Sequence, residues 1–507
     1  MNDGPRDIPA GDIPAPDISR DEGDPLRAVR LAKLEALREL GVEPYPVAFA
    51  RSDEAAALEA RYASLPAGTD TGDTVRVAGR IRAVRNSGMF IDLHDASGKI
   101  QIFGHKDYLS EESLATLKLL DIGDLIGVEG QIRRTPRGEL TVNAVALTVL
   151  AKALRPLPEK FHGLADIELR YRQRYVDLIM NPQSRETLRR RSRIVAEMRA
   201  WLLERGYLEV ETPMLHTIQG GASAKPFVTH HNALDIDLFL RIAPELHLKR
   251  LIVGGLADGV FEINRCFRNE GLSPRHNPEF TSLEIYEAYV DYTAMMELTE
   301  TLIAHLAERV TGSTKISYGG TDIDLTPPWP RRTMAELVEE ATGIDFMALD
   351  VAAARKAANS FGAALSDEAG WGHALEAVFA VRVEDSLIQP VHITGFPRDI
   401  SPLAKADAKD PRLVERFETY VYGWEIANAF SELNDPIDQR RRFEAQMKAR
   451  AAGDEEAQPL DEDYVTALEY GLPPCGGLGV GIDRLVMLLT DSPSIRDVIA
   501  FPTMRPR

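Results

Sequence analysis

The sequence predicts an α+β protein, in which a small closed β-barrel precedes a larger domain built on a largely antiparallel sheet flanked by helices. Two observations carry this prediction. Short runs of alternating apolar and polar residues, separated by turn signals, fill residues 74–150. Later strand-like runs follow one another without regular crossover helices, which is typical of an α+β domain. At 507 residues the chain is too long for one ordinary core, so at least two domains are expected.

Composition indicates a globular protein and agrees with a reducing compartment. The hydrophobic share is 44%, and no run approaches the ~18 apolar residues of a membrane span. The N-terminal stretch has neither a basic segment nor an apolar core, so we expect no secretion signal, no membrane partner and a cytoplasmic location. Cys266 and Cys475 cannot form a disulfide framework and have no zinc spacing.

The net charge of −19 argues against nonspecific binding to DNA or RNA, because phosphates repel an acidic surface. One segment is nevertheless basic, with Asp92 and Asp95 as its acids. Its cations are Arg76, Arg80, Arg82, Arg85, Lys99 and Lys106.

The first 150 residues divide into three predicted segments. Residues 1–24 are rich in Pro, Asp and Gly and predict a disordered tail. Residues 25–73 form a helical segment, beginning with an amphipathic helix that has Pro25 at its first position and Gly41 after its end. Residues 74–150 contain strand-like runs with one helical interruption, and a five-stranded OB-fold fits this count.

Phe90 lies at the start of a barrel strand, beside the basic segment. Taken alone, an aromatic residue in a strand is more often a packing residue. In an OB-fold, however, an aromatic beside arginines and lysines suits single-stranded nucleic acid, because bases stack on the ring and cations hold the phosphates.

Residues 151–180 contain prolines and are predicted as a linker, and residues 181–507 form the larger domain. A strong helix is expected over "SRETLRRRSRIVAEMRAWLLERG", ended by Gly206. Helical segments are also expected at 292–310 and 333–380.

Several strands of the larger domain have an apolar face and a polar face. In "EFTSLEIYEAY", Leu283 and Ile285 point one way, and Glu284 and Tyr286 point the other. An unpaired carboxylate is costly in a packed core, so Glu284 needs a partner or water. For one strand, a solvent-exposed sheet face explains the pattern equally well. The pattern recurs in "ETYVYGWEIANAFSELND", which favours a site.

The stretch "GGLGVGIDRL" adds a second kind of signal. Its glycines would let the backbone pass close to a ligand, and Arg484 could grip phosphate. The chain contains neither a P-loop nor a dinucleotide-binding fingerprint.

Three stretches resemble the class II aminoacyl-tRNA synthetases. "GYLEVETPML" is similar to their motif 1, "FRNEGLSPRHNPEF" to motif 2 and "GLGVGIDRL" to motif 3, in the same order and with similar spacing. These motifs indicate only the class. "APELHLKRL" and "FSELND", together with the N-terminal barrel, resemble the lysine-specific family within it, from about residue 26 to the end of the chain.

The resemblance implies ATP-dependent activation of lysine to lysyl-adenylate, followed by transfer of the lysyl group to tRNA(Lys). Cations and positioning should dominate the first step, because a carboxylate attacks a negatively charged phosphoryl centre. Arg268 would bridge the lysine carboxylate and the α-phosphate, and Arg484 would contact adenine and the γ-phosphate. The other positions implied in ATP binding are Glu270, His276, Asn277, Phe280 and Glu418.

The resemblance also implies acidic sites for magnesium and for lysine. Glu418 and Glu425 match Mg²⁺ ligands, with more than one ion expected, and hard oxygen atoms are the ligands that Mg²⁺ prefers. The positions implied around lysine are Gly221 and Glu245 at the α-amino group, Asn428 near the carboxylate, and Glu284, Tyr286 and Glu432 at the side-chain ammonium.

In the barrel, four positions match those that read the anticodon, with Phe90 stacking on a base. Motif 1, including Pro213, implies a homodimer interface. The four anticodon positions are Arg85, Phe90, Gln101 and Glu139.

Three alternative functions are compatible with parts of the sequence. An aspartyl or asparaginyl enzyme would need a cation where this chain has Glu284 and Glu432. A ligase that transfers lysine to a protein resembles the catalytic domain without the barrel. A non-catalytic RNA-binding relative would be expected to lose Arg268, Glu425 or Arg484, and all three are present.

Overall fold

The computed structural model describes residues 24–158, 164, 166–363, 365, 369–451 and 458–506. The tail predicted at 1–24 therefore lies outside the described residues, apart from Asp24. The chain divides into two compact units, residues 1–163 and 164–507. Among the described residues, every helix is too short or too polar to cross a membrane.

The first unit is a closed five-stranded barrel with strand order β1-β2-β3-β5-β4, preceded by two helices. Its pairs are antiparallel except β3 with β5. This confirms the predicted OB-fold. The elements are α1 (Pro25–Glu39), α2 (Ala55–Arg61), β1 (Asp70–Arg85), β2 (Phe90–His94), β3 (Lys99–Phe103), α3 (Glu111–Leu119), β4 (Leu125–Arg134) and β5 (Leu140–Ala151).

Alternation along the barrel strands fills the core from one side of each strand. Ile91 and Leu93 on β2 are buried, as are Ile100 and Ile102 on β3. The residues between them therefore face the outside of the barrel. Near the end of β5, the fully buried ammonium of Lys152 donates to Asp121 at 2.6 Å and to Asp124 at 2.8 Å.

The second unit is built on an eight-stranded sheet in the order β14-β15-β16-β17-β18-β11-β10-β6. Its elements are α4 (Ile167–Arg172), α5 (Arg174–Met180), α6 (Pro182–Glu204), β6 (Leu208–Glu209), β7 (Leu215–His216), β8 (Val228–His231), β9 (Ile236–Leu240), α7 (Glu245–Val253), β10 (Gly259–Phe267), β11 (Glu279–Ala288), α8 (Tyr292–Thr311), β12 (Lys315–Tyr318), β13 (Thr321–Asp324), β14 (Arg331–Thr333), α9 (Met334–Thr342), α10 (Val351–Ser360), α11 (Trp371–Arg382), β15 (Val391–Pro397), β16 (Leu413–Val421), β17 (Trp424–Ser431), α12 (Pro436–Ala451), α13 (Glu462–Glu469), β18 (Cys475–Gly481), α14 (Ile482–Thr490) and α15 (Ile495–Val498).

The sheet is antiparallel except in its two outermost pairs, β14 with β15 and β10 with β6. This confirms a largely antiparallel α+β domain. Two details differ from the expected elements. Helices α4 and α5 occupy part of the predicted linker 151–180. The helical region expected at 333–380 is divided, because Gly343 ends α9 in a left-handed conformation at φ 74°.

One face of the sheet carries the main core of the second unit. Leu283 and Ile285 on β11, together with Leu478 and Val480 on β18, are buried against helices α6, α8 and α14. The alternate residues of these strands must therefore point to the opposite face. That face is where the polar residues of "EFTSLEIYEAY" lie.

Candidate active site

Strand register brings the polar residues of three strands into rows across the second face of the sheet. Directly opposed residues of antiparallel strands point to the same side. Each row crosses β18 at a glycine, so the middle of the face has no side chain and forms a trough. One row, read from β11 to β16, is Glu284, Gly479, Asn428 and Glu418, and the next is Tyr286, Gly477, Phe430 and Arg416.

The trough is part of a cavity of about 610 Å³. Glu432 does not line it and is buried behind it, 1% exposed. The predicted positions that line the cavity are Gly221, Glu245, Arg268, Glu270, His276, Asn277, Phe280, Glu284, Tyr286, Glu418, Glu425, Asn428 and Arg484.

The cavity extends along β11. Phe280 and Tyr286 point to the same side of this strand and are six residues apart, which corresponds to ~20 Å. The guanidinium of Arg268 lies over the ring of Phe280, 5.1 Å from its centroid. One strand thus links a cationic, aromatic region to an acidic region.

The acidic region contains Glu284, whose Oε2 accepts a hydrogen bond from the Tyr286 hydroxyl at 2.9 Å. Burial raises the pKa of Glu284 to about 8, and the negative charge of Glu245 adds to the shift. Gly221 packs beside Glu245 at φ 88°, a conformation that favours glycine, and a Cβ there would lie 3.2 Å from the Glu245 Cβ. A ligand that brings positive charge would therefore be stabilised here.

The sequence interpretation missed Lys249 in this region. Its ammonium is fully buried and donates to Oε1 of Glu245 at 2.5 Å and to Oε2 of Glu432 at 2.6 Å. Burial alone would lower the pKa of Lys249, but these carboxylates raise it well above its ordinary value. The spacing of four between Glu245 and Lys249 in a helical pattern is the signal that could have indicated the pair.

The cationic region is organised around Arg484 at the start of α14. It donates to the backbone oxygen of Glu425 at 2.7 Å, and its guanidinium lies 3.0 Å from Nε2 of His276. Partial burial and the charge of Arg484 lower the pKa of His276, so its ring is neutral near pH 7 and can accept from Arg484. The side-chain nitrogen of Asn277 donates to the backbone oxygen of Glu279 at 2.6 Å, and its side-chain oxygen accepts from the backbone N–H of Thr503 at 3.2 Å.

Glu418 and Glu425 lie on neighbouring strands and both line the cavity. Glu418 accepts from Arg416 at 2.5 Å and from the Tyr420 hydroxyl at 2.9 Å. Burial raises the pKa of Glu418 to about 7, Arg416 opposes the shift and Glu425 adds to it. The sequence interpretation also missed Arg416, although this residue lies two positions before Glu418 and on the same face of β16.

The described part of the chain contains no cluster of three or more His, Cys, Asp or Glu side chains that could hold a metal by itself. The carboxylates of Glu418 and Glu425 are nevertheless a hard-oxygen donor set that fits Mg²⁺, which usually takes further ligands from phosphate and water.

The four positions predicted to read the anticodon lie in the first unit. Strand pairing places Arg85, Phe90 and Gln101 on the same face of the barrel, where Gln101 is buried. Glu139 lies just before β5 and is ion-paired with Lys99 of β3. Phe90 is opposite Arg85 on one side and Phe103 on the other, with the two phenylalanine rings 5.0 Å apart. Gln101 accepts from Thr141 at 3.0 Å. The cations predicted here are largely paired, as Arg85 with Asp92 at 2.7 Å and Lys99 with Glu139 at 2.9 Å.

Both units of the chain match known protein families. Residues 166–505 match the family model of tRNA synthetases class II (D, K and N), and residues 75–150 match that of the OB-fold nucleic acid binding domain.

Full-length relatives carry a more specific name. The chain is 55% identical over 478 residues to a lysine–tRNA ligase of Rhizobium meliloti, covering 94% of this chain and 96% of the relative. It is 54% identical over 493 residues to that of Carboxydothermus hydrogenoformans, covering 97% and 100%. A Synechococcus lysine–tRNA ligase is 56% identical over 491 residues, covering 95% and 97%. Because this similarity extends along nearly the whole chain and includes the barrel, the chain belongs to the lysine–tRNA ligase family of class II tRNA synthetases.

Proposed function

We propose that the protein activates lysine with ATP and transfers the lysyl group to the 3′-terminal adenosine of tRNA(Lys) for protein synthesis. The observation that carries this proposal is the charge division of one cavity. Glu245 and Glu284 line its acidic region, and Arg268 and Arg484 line its cationic region. Acidic groups favour a substrate with a cationic side chain and disfavour aspartate or glutamate.

In the activation step, a lysine carboxylate oxygen forms a bond to the α-phosphorus of ATP while the bond from that phosphorus to pyrophosphate breaks. Arg268 would neutralise both carboxylate and phosphate, and its buried Nε, which has no partner among the described residues, supports this role. Phe280 offers a face for adenine, and Arg484 with His276 would meet the terminal phosphates. These groups position the carboxylate and the phosphates and stabilise their charge, and they transfer no proton.

Glu418 and Glu425 would hold Mg²⁺, which neutralises phosphate charge when bound with ATP. Glu418 is already held in place by Arg416 and Tyr420. Arg416 also donates to Oδ1 of Asn428 at 3.0 Å, so it connects the phosphate side with the lysine side.

For tRNA recognition, we propose that Phe90 stacks on an anticodon base and that Arg85, Gln101 and Glu139 contact neighbouring base edges. The common face of Arg85, Phe90 and Gln101, and the ion pair that joins Glu139 to Lys99 of β3, support this role. Aromatic and basic groups on a barrel face suit a single-stranded loop.

The proposal includes a homodimer. Pro213 is followed by exposed apolar side chains around the small sheet of β7, β9 and β8, an arrangement that is typical of an interface. Sedimentation should give twice the mass of 56.1 kDa. The exposed apolar residues of this region are Met214, Leu215, Ile218, Val228 and Ile236.

Both cysteines are buried and free, which supports a reducing, cytoplasmic location.

The decisive test is ATP–pyrophosphate exchange with each of the twenty amino acids in turn. Exchange with lysine, lost in Arg268→Met, is the expected result. Exchange with aspartate or asparagine, or none with lysine, would refute the proposal.

A further inference from the structure

Lys249 lies behind the amino-acid region of the cavity, does not line it and has no exposed surface. A charge in such a position is costly unless it is fully paired. Its two short contacts, with Glu245 on its own helix and Glu432 after β17, connect two of the three carboxylates proposed to bind lysine.

Lys249 fixes one oxygen of Glu432 and leaves the other free. Oε2 accepts from Lys249, whereas Oε1 is buried without a partner among the described residues. A Cβ added to Gly477 would overlap Oε1, and Gly477 lines the cavity. The free oxygen of Glu432 therefore lies next to Gly477, just beneath the lining of the cavity.

The charges also balance in a specific way. Glu245, Glu284 and Glu432 carry three negative charges when ionised, and Lys249 cancels one of them. Lysine brings two ammonium groups, while its carboxylate is left for Arg268. With Lys249 present, the two remaining negative charges of the pocket cancel the two positive charges of the ammonium groups. Without it, one buried negative charge would be unmatched.

The other titratable groups around this cluster come from four further elements. They leave the balance unchanged at neutral pH, because burial first, and the nearby carboxylates next, keep the pKa of Tyr286 well above its ordinary value, and burial also raises that of Tyr464 and Cys475. The charge of Arg416 is paired with Glu418. The groups are Tyr286 on β11, Tyr464 on α13, Cys475 on β18 and Arg416 on β16.

We propose that Lys249 is a positioning residue that orients Glu245 and Glu432 and matches the pocket charge to a diamino acid. The inference rests on the proposed lysine site. Lys249 acts on the substrate through the two carboxylates, which hold their orientation only while its ammonium lies between them.

The test is Lys249→Met in lysine-dependent ATP–pyrophosphate exchange. We expect the KM for lysine to rise about 30-fold, while the KM for ATP changes less than about twofold. The excess in lysine KM should shrink from about pH 7 to about pH 9, because Glu432 without its cation holds its proton to a higher pH, and this proton must leave before an ammonium binds. A purely structural role would raise both KM values together with an unchanged pH profile, and this result would overturn the proposal.

Lys249→Arg keeps the charge and covers the case in which the methionine variant does not fold. It should raise the KM for lysine selectively, with the pH profile of the unmodified protein, and an equal rise in the KM for ATP would overturn the proposal. Lys152→Met is the matched control, because Lys152 is equally buried between two carboxylates in the first unit. Its KM for lysine should not change.

Glu284→Gln distinguishes a failure of the proposed lysine site from a failure of the proposed role of Lys249. If it leaves the KM for lysine unchanged, the proposed lysine site is wrong. If it raises that KM and Lys249→Met does not, only the role of Lys249 is wrong.

Discussion

The Tyr286 hydroxyl holds one oxygen of Glu284, and the other oxygen of this carboxylate faces Gly479. Glu432 repeats the arrangement with Lys249 and Gly477. In each case the protein orients one oxygen and leaves the second over a glycine of β18. Two preoriented acceptors beside glycines without side chains suit the ammonium groups of the proposed substrate.

Glu432→Gln should raise the KM for lysine about 100-fold, because it removes a buried, oriented charge. The KM for ATP should stay within about twofold, which pyrophosphate exchange can measure in the same series. Unchanged lysine kinetics would remove Glu432 from the site.

Lysine binding should strengthen as the pH rises from about 6.5 to about 8.5, by roughly 20-fold, because a Glu284 with a pKa of about 8 is mostly protonated at the lower pH and must ionise to bind an ammonium. The dissociation constant should level off above the pKa. Calorimetry in two buffers should show proton release near pH 7. In Glu284→Gln this release should shrink, and an identical release would assign the proton to another group.

Gly479→Ala should fold normally and bind lysine poorly. The added Cβ would lie 3.7 Å from Glu284 Oε1, an ordinary contact, but it would project into the trough between Glu284 and Asn428. We expect kcat/KM for lysine to fall about 100-fold with little change in Tm. Gly254→Ala is the control, since its Cβ meets only backbone oxygen atoms at 3.5 Å. Normal lysine kinetics in Gly479→Ala would move the substrate away from β18.

Phe90→Ala should lower kcat/KM for tRNA charging about tenfold, because one base would lose its stacking partner. Lysine-dependent pyrophosphate exchange should be unaffected. Val145→Ala, at an exposed position of β5, should change neither reaction. Equal damage to both reactions by Phe90→Ala would contradict an anticodon role.

Alternation along single strands was enough to predict the two faces of β11. Leu283 and Ile285 enter the core, and Glu284 and Tyr286 face the cavity. The sequence does not reveal which residues of neighbouring strands are paired. The rows of residues across β11, β18, β17 and β16 are therefore visible only in the structure. The predicted fold class needed no register and is confirmed.

Long-range ion pairs explain what was missed. Lys249 lies on a helix, where a lysine is usually exposed, and its partner Glu432 is 183 residues away. Helix α5 was predicted as part of a linker because its stabilising contacts are also distant. Arg174 is buried and donates to backbone oxygen atoms of Arg496, Ile499 and Ala500.

The glycines of β18 make the cavity sensitive to insertions and deletions in this strand. Leu478 and Val480 alternate with Gly477 and Gly479, so sliding this strand by one residue would move two large apolar side chains into the cavity and two glycines into the core. A single deletion or insertion near residue 475 could therefore abolish amino-acid recognition while every acidic and cationic residue of the cavity stayed in the sequence. A screen for functional relatives should check the alignment of this strand as strictly as the identity of the charged residues.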